Sequence, residues 1–464
     1  MKSASPRARG EGRGEGAPAG LIFSNDRPPA ASAGAAVNRW YLTGEAECMR
    51  ALLDIARLPD PQRVAIQDTA ARLVHAVRDN RARKSGLDAF LQKYDLSSQE
   101  GVVLMCLAEA LLRIPDADTA DRLIADKLSS ANWQAHVGTS ESLFVNASTW
   151  GLMLTGRLIR PDAELIANPA SFLARLASRV GEPVVRGALR QAMRIMGRQF
   201  VMGRDIREAL ERSRAGDDRA YRYSFDMLGE ASLTERDAER YLDAYADAID
   251  TLGEAVEQGG VAEEAPSISV KLSALHPRYE FAKRARVLDE LAARLLELTE
   301  QAKSRGVALT VDAEEADRLE LSIEVFEAVY RSPALDGWTG FGLAVQAYQK
   351  RALYVLRWLA GLAAEVGRRV PVRLVKGAYW DTEIKRAQEA GLAGYPVFTR
   401  KTNTDVSYLA CAREMLGAGE TLFPQFATHN AHTVASILSM AGKHRGFELQ
   451  RLHGMGEELY DEVV

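Results

Sequence analysis

The chain has 464 residues, 47% of them hydrophobic and 26% charged, which excludes a collagenous, coiled-coil or wholly disordered protein. At roughly 150 residues per domain this length predicts about three units, or one large barrel with attachments. A formal net charge of −4 excludes nucleic-acid recognition by bulk positive charge, and three scattered cysteines (Cys48, Cys106, Cys411) exclude a disulfide scaffold or a thiolate zinc site and suit a reducing cytosol.

Residues 1–36 are rich in Gly, Ala, Pro and Ser with little bulky apolar side chain, and read as a disordered tail. They lack the compact apolar core of a signal peptide. Their GxGxxA at Gly14, Gly16 and Ala19 follows no strand and is interrupted by Pro18, so it is not a dinucleotide fingerprint. Residues 37–85 read as a helical arm, with a helix opened by Asp60-Pro61, and 86–220 as an α-helical domain. There Ser97-Ser98-Gln99-Glu100 resembles a capping box ahead of Val102, Val103, Met105, Leu107 and Leu111, and further helices are predicted over about 171–180, 183–202 and 205–214. No catalytic cluster stands out in this half.

From 221 the texture changes. Short β-rich runs at 221–228, 267–272, 308–312, 339–346, 370–376, 421–429 and 447–453 alternate with amphipathic helices at about 234–258, 284–304, 314–330, 348–366, 401–417 and 431–442. The most apolar helix contains Arg357 and is too short to span a bilayer. We read a cytoplasmic protein, with peripheral contact at the inner membrane left open. Repeated βα units predict parallel strands with crossover helices, and so many in a row favour a (βα)8 barrel over an open sheet. Seven units are spent by Val464 and a closed barrel needs an eighth, so either the count is one short or the polypeptide is truncated at its C-terminus.

Polar residues mark the C-terminal ends of the predicted strands: Glu230, Lys271, Asp312, Gln346, Arg373 with Lys376, His429 and His453. One such residue would only mark a strand end. Seven converging units, several with a full charge, point to the mouth where barrel active sites form. Lys271 and Asp312 fall on neighbouring strands and are placed to pair. Lys376-Gly377-Ala378-Tyr379-Trp380 then turns into a helix predicted from near Thr382. Small residues there let the backbone approach a ligand, and a helix start attracts phosphate. Tyr379 and Trp380 offer flat faces to a ring, and Arg400 and Lys401 after Thr399 add positive charge. The set points to an anionic, aromatic cofactor.

At these residues the chain resembles a known family. Ser269-Val270-Lys271-Leu272-Ser273-Ala274-Leu275-His276-Pro277, Val311-Asp312-Ala313-Glu314-Glu315, Gly342-Leu343-Ala344-Val345-Gln346-Ala347-Tyr348, Arg373-Leu374-Val375-Lys376-Gly377-Ala378-Tyr379-Trp380 and Ala427-Thr428-His429-Asn430 look like the proline dehydrogenase barrel of proline utilization A. Asp226-Met227-Leu228-Gly229-Glu230 and Leu452-His453-Gly454-Met455-Gly456 extend the likeness over 221–464, and the helices before it resemble that family's arm and α-domain. The resemblance implies an FAD enzyme that oxidises L-proline to Δ1-pyrroline-5-carboxylate, the first step of proline catabolism to glutamate. The hydride passes from proline C5 to flavin N5, and a ubiquinone-type acceptor at the membrane reoxidises the flavin. It also implies the catalytic residues Lys271, Asp312, Arg373 and Tyr379. Substrate contacts would be Lys271, Asp312, Ala378 and Tyr379, with Glu230 as a gate. FAD contacts would be Asp312, Gln346, Arg373, Lys376, Gly377, Ala378, Trp380, Thr399, His429 and Asn430. No metal is implied. A homo-oligomer is left open, and an aldehyde dehydrogenase domain is expected downstream in a full-length member.

The departures carry expectations too. The family's eighth unit has a Tyr and an Arg-Arg-x-x-Glu motif, which this sequence does not reach, so this chain is expected to be poorly active or inactive and the complete gene product active. Residues 1–36 lack a ribbon-helix-helix pattern, so no sequence-specific DNA binding is expected. Two rivals remain. One is a non-catalytic fragment acting through its helices, for example in dimerisation. The other is a metal-dependent barrel hydrolase built on His429, His432 and Asp312, against which the nearby Lys271, Arg373 and Lys376 argue by charge.

Overall fold

The computed structural model describes residues 32–83, 201–214, 221–229, 231–257 and 266–464. The arm forms helices Ser32–Asn38, Glu45–Ala56 and Asp60–Arg83, and Ile206–Ser213 follows. Helix formation therefore begins at Ser32, inside the segment read as tail, where Val37 is buried against the barrel core. The predicted helices over 171–180 and most of 183–202, the capping box at 97–100, Cys106 and Glu230 lie outside the described residues.

Seven strands make one sheet: β1 (Ser224–Asp226), β2 (Ser267–Val270), β3 (Ala308–Val311), β4 (Phe341–Gln346), β5 (Val370–Val375), β6 (Leu422–Ala427) and β7 (Glu448–Gln450). Their spatial order is their sequence order, and every neighbouring pair is parallel. This is the βα repeat read from the sequence, with β1 and β7 as the two edges and no eighth strand among the described residues. Crossovers are helical, as parallel neighbours require.

The pattern of each element explains its place. All six residues of β4 are buried, as expected of a parallel strand covered on both faces. β5 and β6 alternate buried and half-buried positions, so one face meets the helices and the other lines the curl of the sheet. Helix Arg284–Ser304 buries Val287, Leu291, Leu295, Leu298 and Ala302 along one stripe. Phe326 stacks on both Phe341 and Tyr330, locking helix Leu319–Tyr330 to β4. The helix predicted from 314 starts later because Glu314 and Glu315 bind neighbouring residues from a loop, followed by a short 3-10 turn.

The arm lies on the outside of the barrel. Trp40 stacks on Tyr354 at 4.2 Å, Gln62 donates to the Ser439 carbonyl, and Arg413 donates to the carbonyls of Ile55 and Arg57. Asn430 caps helix Ala431–Ala441, its Oδ1 accepting from the Thr433 backbone N–H at 2.9 Å and the Thr433 hydroxyl at 3.1 Å. We expect Asn430→Ala to lower stability by about 1 kcal/mol, read as a drop in denaturation midpoint. An unchanged midpoint would remove the cap from the account.

Candidate active site

Because the strands are parallel, their C-terminal ends share one rim. Pairing of Val270 with Val311 sets Lys271 opposite Asp312, and the Asp312 N–H continues the ladder to the Val270 carbonyl. Lys271 Nζ donates to Asp312 Oδ2 at 2.9 Å and to Asp226 Oδ1 at 2.8 Å, so one ammonium at the end of β2 is shared by two carboxylates, one from each neighbouring strand end. The Lys271 side chain is 11% exposed, while Asp226 at the open side is 51% exposed. Burial alone would draw the lysine pKa down, but Asp312 and Asp226 more than reverse this and hold it well above the ordinary value. Lys271 is therefore a fixed cation at neutral pH. Asp226 is the member that strand-by-strand reading missed, although it ends β1 much as Asp312 directly follows β3.

Arg373 sits before the end of β5 and reaches across the sheet. Its guanidinium donates to Gln450 Oε1 on β7 at 2.9 Å, Ser269 Oγ on β2 at 2.7 Å and Ser224 Oγ on β1 at 2.6 Å. It ties both edge strands together, an arrangement reinforced by the ion pair of Arg222 with Glu448. Asp312 thus holds Lys271, while Arg373 is held by hydroxyls and an amide. Gln425 pairs in register with Arg373, and its Oε1 is buried without a partner.

Other expected residues turn out to be engaged with their own backbone. Gln346 is buried, donates to the Glu314 carbonyl at 2.8 Å and accepts from the Ala378 N–H at 3.1 Å, which links the loops after β3 and β5. His429 Nε2 accepts from the Leu452 N–H at 3.0 Å, so the ring is neutral with its proton on Nδ1; burial, helped by Arg451, pulls its pKa down. That nitrogen is then unavailable to a metal, and among the described residues no group of His, Cys, Asp and Glu is placed to hold one.

The loop after β5 carries the remaining set. Lys376 and Lys401 both pair with Asp405. Tyr379 precedes helix Trp380–Glu389 without a side-chain capping bond, the helix starts ahead of the predicted Thr382, and Trp380 is 42% exposed with Nε1 donating to the Phe398 carbonyl at 2.9 Å. Gly377 has φ +144°, and a Cβ there would lie 2.4 Å from the Tyr348 ring. Thr399 donates from its N–H and its hydroxyl to Glu45 of the arm, a partner that sequence reading did not foresee. The chain thus gathers Asp226, Lys271, Asp312, Arg373 and the 376–380 loop at one rim, with Thr399 beside Trp380.

Comparison with known proteins agrees with this fold. A family model described as Proline dehydrogenase matches residues 209–464. One described as Proline utilization A proline dehydrogenase N-terminal domain matches 35–78, and one described as DNA-binding domain of Proline dehydrogenase matches 86–200. The chain is 49% identical over 450 residues to the bifunctional protein PutA of Escherichia coli, a match covering 96% of this chain and 34% of that protein. To the bifunctional protein PutA of Rhizobium meliloti it is 50% identical over 438 residues, covering 92% and 34%. A crystal structure of a mutant proline utilization A from Bradyrhizobium japonicum superposes with a TM-score of 0.69 at 52% identity, covering 91% of this chain and 42% of that one. The chain therefore spans about a third of the length of the curated relatives it matches (34%). The absence of DNA binding was expected from residues 1–36 alone; the description matched to 86–200 points the other way, and those residues lie outside the described ones. Among the described residues no helix is long and apolar enough to cross a membrane.

Two outcomes are expected. Gly377→Ala should displace the 376–380 loop, since both the positive φ and the Tyr348 ring oppose a Cβ, and should lower the melting temperature by an amount worth about 1–3 kcal/mol; a silent substitution would mean that Tyr348 yields freely. His429 has a folded pKa below its ordinary value of about 6.5, so the unfolded chain takes up its proton first as pH falls. Its share of stability is complete above about pH 6.5 and is lost as pH drops through that value towards the depressed one. His429→Gln should flatten the dependence of melting temperature on pH in that window, and an identical slope in the variant would rule His429 out as its source.

Proposed function

The chain belongs to the proline dehydrogenase family, and from that premise we propose that it oxidises L-proline to Δ1-pyrroline-5-carboxylate with FAD as its cofactor, the first step of proline catabolism to glutamate. The observation that carries this reading is the single ammonium of Lys271 held between Asp226 and Asp312 on the rim that also bears Arg373 and the 376–380 loop.

The residues present fit an anionic, aromatic cofactor. Lys376 and Lys401 supply positive charge beside an exposed indole face at Trp380. Gly377 keeps the loop close to Tyr348 where a Cβ would intrude, and Gln425 Oε1 is a buried acceptor with its hydrogen bond still to make. Lys376, Gly377, Ala378, Trp380 and Thr399 would hold FAD, with Gln346, His429 and Asn430 shaping its walls. When bound, FAD would supply the two-electron acceptor for the hydride from proline C5, to be reoxidised by a ubiquinone-type acceptor at the membrane.

The protein's own part is binding and orientation. Lys271 engages the proline carboxylate, an interaction worth about 1.5–3 kcal/mol between charged partners. Asp312 and Asp226 keep that ammonium charged and aimed, so that it is organised before substrate arrives. Arg373 offers guanidinium donors at the same level and would stabilise the negative charge that develops on the flavin as it accepts the hydride. Tyr379, on the loop after β5, would face the substrate ring. Oxidation of the product to glutamate is assigned to an aldehyde dehydrogenase domain expected in the longer family members.

Purified protein should be yellow, with absorbance near roughly 370 and 450 nm from oxidised flavin, and anaerobic L-proline should bleach the longer-wavelength band. Colourless folded protein that FAD does not reconstitute would sink the reading in favour of a non-catalytic role. Lys271→Met should raise the proline concentration for half-maximal bleaching by about tenfold or more while changing the limiting rate less. An unchanged half-saturation would take Lys271 out of the substrate site.

A further inference from the structure

The N-terminal arm does more than cover the barrel's outer surface. At its second helix start, Glu45 accepts hydrogen bonds from the Thr399 N–H at 3.1 Å, the Thr399 hydroxyl at 2.7 Å and Asn403 Nδ2 at 2.6 Å. These donors span the entry to helix Lys401–Gly417. Just before Glu45, the Thr43 carbonyl accepts from the buried Lys350 at 2.8 Å, and Asn38 Oδ1 accepts from the buried Arg351 at 2.8 Å. Arg351 also lies over the Tyr41 ring at 4.5 Å. Residues 38–45 therefore grip two loops of the rim at once, the one after β4 and the one leading into helix Lys401–Gly417.

The second loop carries groups that face the mouth. Phe398, next to Thr399, receives the Trp380 indole N–H on its carbonyl and donates its own N–H to the Tyr348 carbonyl at 2.8 Å. Tyr348 in turn donates to the Lys376 carbonyl at 2.8 Å and covers Gly377. On the first turns of the same helix, Asp405 joins Lys401 to Lys376. A displacement at Thr399 would therefore be passed to the indole through one carbonyl and to both lysines through one short helical segment.

We propose that Glu45 is a positioning residue for the cofactor end of the mouth: through Thr399 and Asn403 it fixes the 398–405 segment, and with it Trp380, Lys376 and Lys401, in the arrangement that binds FAD. This rests on the FAD reading above. Glu45 touches neither substrate nor cofactor in this scheme and acts only through the residues it holds. A carboxylate is suited to the task because it accepts from several donors at once, and bonds to a charged acceptor are stronger than those to a neutral one.

The test uses the full chain, stripped of flavin and titrated with FAD, together with Glu45→Gln, Glu45→Asp and Arg413→Ala. Arg413 holds the arm by the Ile55 and Arg57 carbonyls, away from Thr399, and serves as the control for arm docking alone. Glu45→Gln should weaken FAD binding about tenfold, with Glu45→Asp in between, and Arg413→Ala should lower the melting temperature while leaving FAD affinity as in the parent. In the flavin-free protein, amide hydrogen exchange at Thr399 should speed up in Glu45→Gln and not in Arg413→Ala. Parent-like FAD affinity in Glu45→Gln, with only a lower melting temperature, would reduce the contact to a structural tie and overturn the proposal. Tighter FAD binding in that variant would also overturn it, since Glu45 would then be masking the site. A parent chain that binds no FAD overturns the functional reading instead, and this proposal with it.

Discussion

The parallel ladder is the constraint on which the rest depends. With seven strands laid side by side in sequence order, every C-terminal strand end reaches the same rim, and no loop has to cross the sheet to bring a side chain there. Register then does the fine placement. Val270 opposite Val311 puts Lys271 beside Asp312, while Ala344 opposite Arg373 and Arg373 opposite Gln425 carry a guanidinium and a buried amide at one level. A one-residue slip of β2 would turn the Lys271 ammonium away from Asp312. The chemistry is thus encoded in strand pairing before any loop is considered.

Electrostatics explains why the rim needs two aspartates. A lysine at 11% exposure faces a desolvation cost that favours its neutral form, and a neutral amine would not attract a carboxylate. One aspartate on each side offsets that cost and directs the ammonium between them. The price is a formal charge of −1 on the trio, which, under the proposed function, the substrate carboxylate would have to approach. Asp226 at 51% exposure is the better screened of the two, so its repulsion is weakened by solvent while its hydrogen bond still aims the lysine. Arg373, hydrogen-bonded to neutral Ser224, Ser269 and Gln450, adds a positive charge near Asp226 that offsets the trio's excess negative charge.

Much of this was legible in the sequence, because strand periodicity and the polar residue that stops each strand are local signals. The seven strands, their parallel arrangement and the Lys271–Asp312 neighbourhood follow from them. Asp226 was harder because β1 is only Ser224–Asp226, too short for alternation to mark its end. The helix start at Trp380 was misplaced to Thr382 because Tyr379 and Trp380 read as ring-binding residues and not as a helix boundary and a first turn. The present partners of Gln346 and His429 are backbone groups, and sequence carries no signal for which backbone N–H or carbonyl a side chain meets across a fold. Glu45 was invisible for the same reason at larger scale: it lies 354 residues from Thr399, and nothing near either residue announces the other.

That long-range contact answers a problem created by the barrel itself. Strand ends are rigid, but the stretch between β5 and helix Lys401–Gly417 is long, and its only helix is Trp380–Glu389, which leaves 390–400 to be ordered by other means. Ordering an irregular segment costs roughly 1–2 kcal/mol per residue in backbone entropy. Part of that cost is offset inside the barrel, by the Lys350 N–H bond to the Pro396 carbonyl and the Phe398 N–H bond to the Tyr348 carbonyl. The remaining polar groups at Thr399 and Asn403 find their acceptor in the arm. A segment that carries Lys401 and the carbonyl under Trp380 is therefore fixed from both sides, by β4's loop within and by Glu45 without. The arm is in this sense a missing wall of the mouth, supplied from the far end of the sequence because the loop that needs it has no strand of its own to lean on.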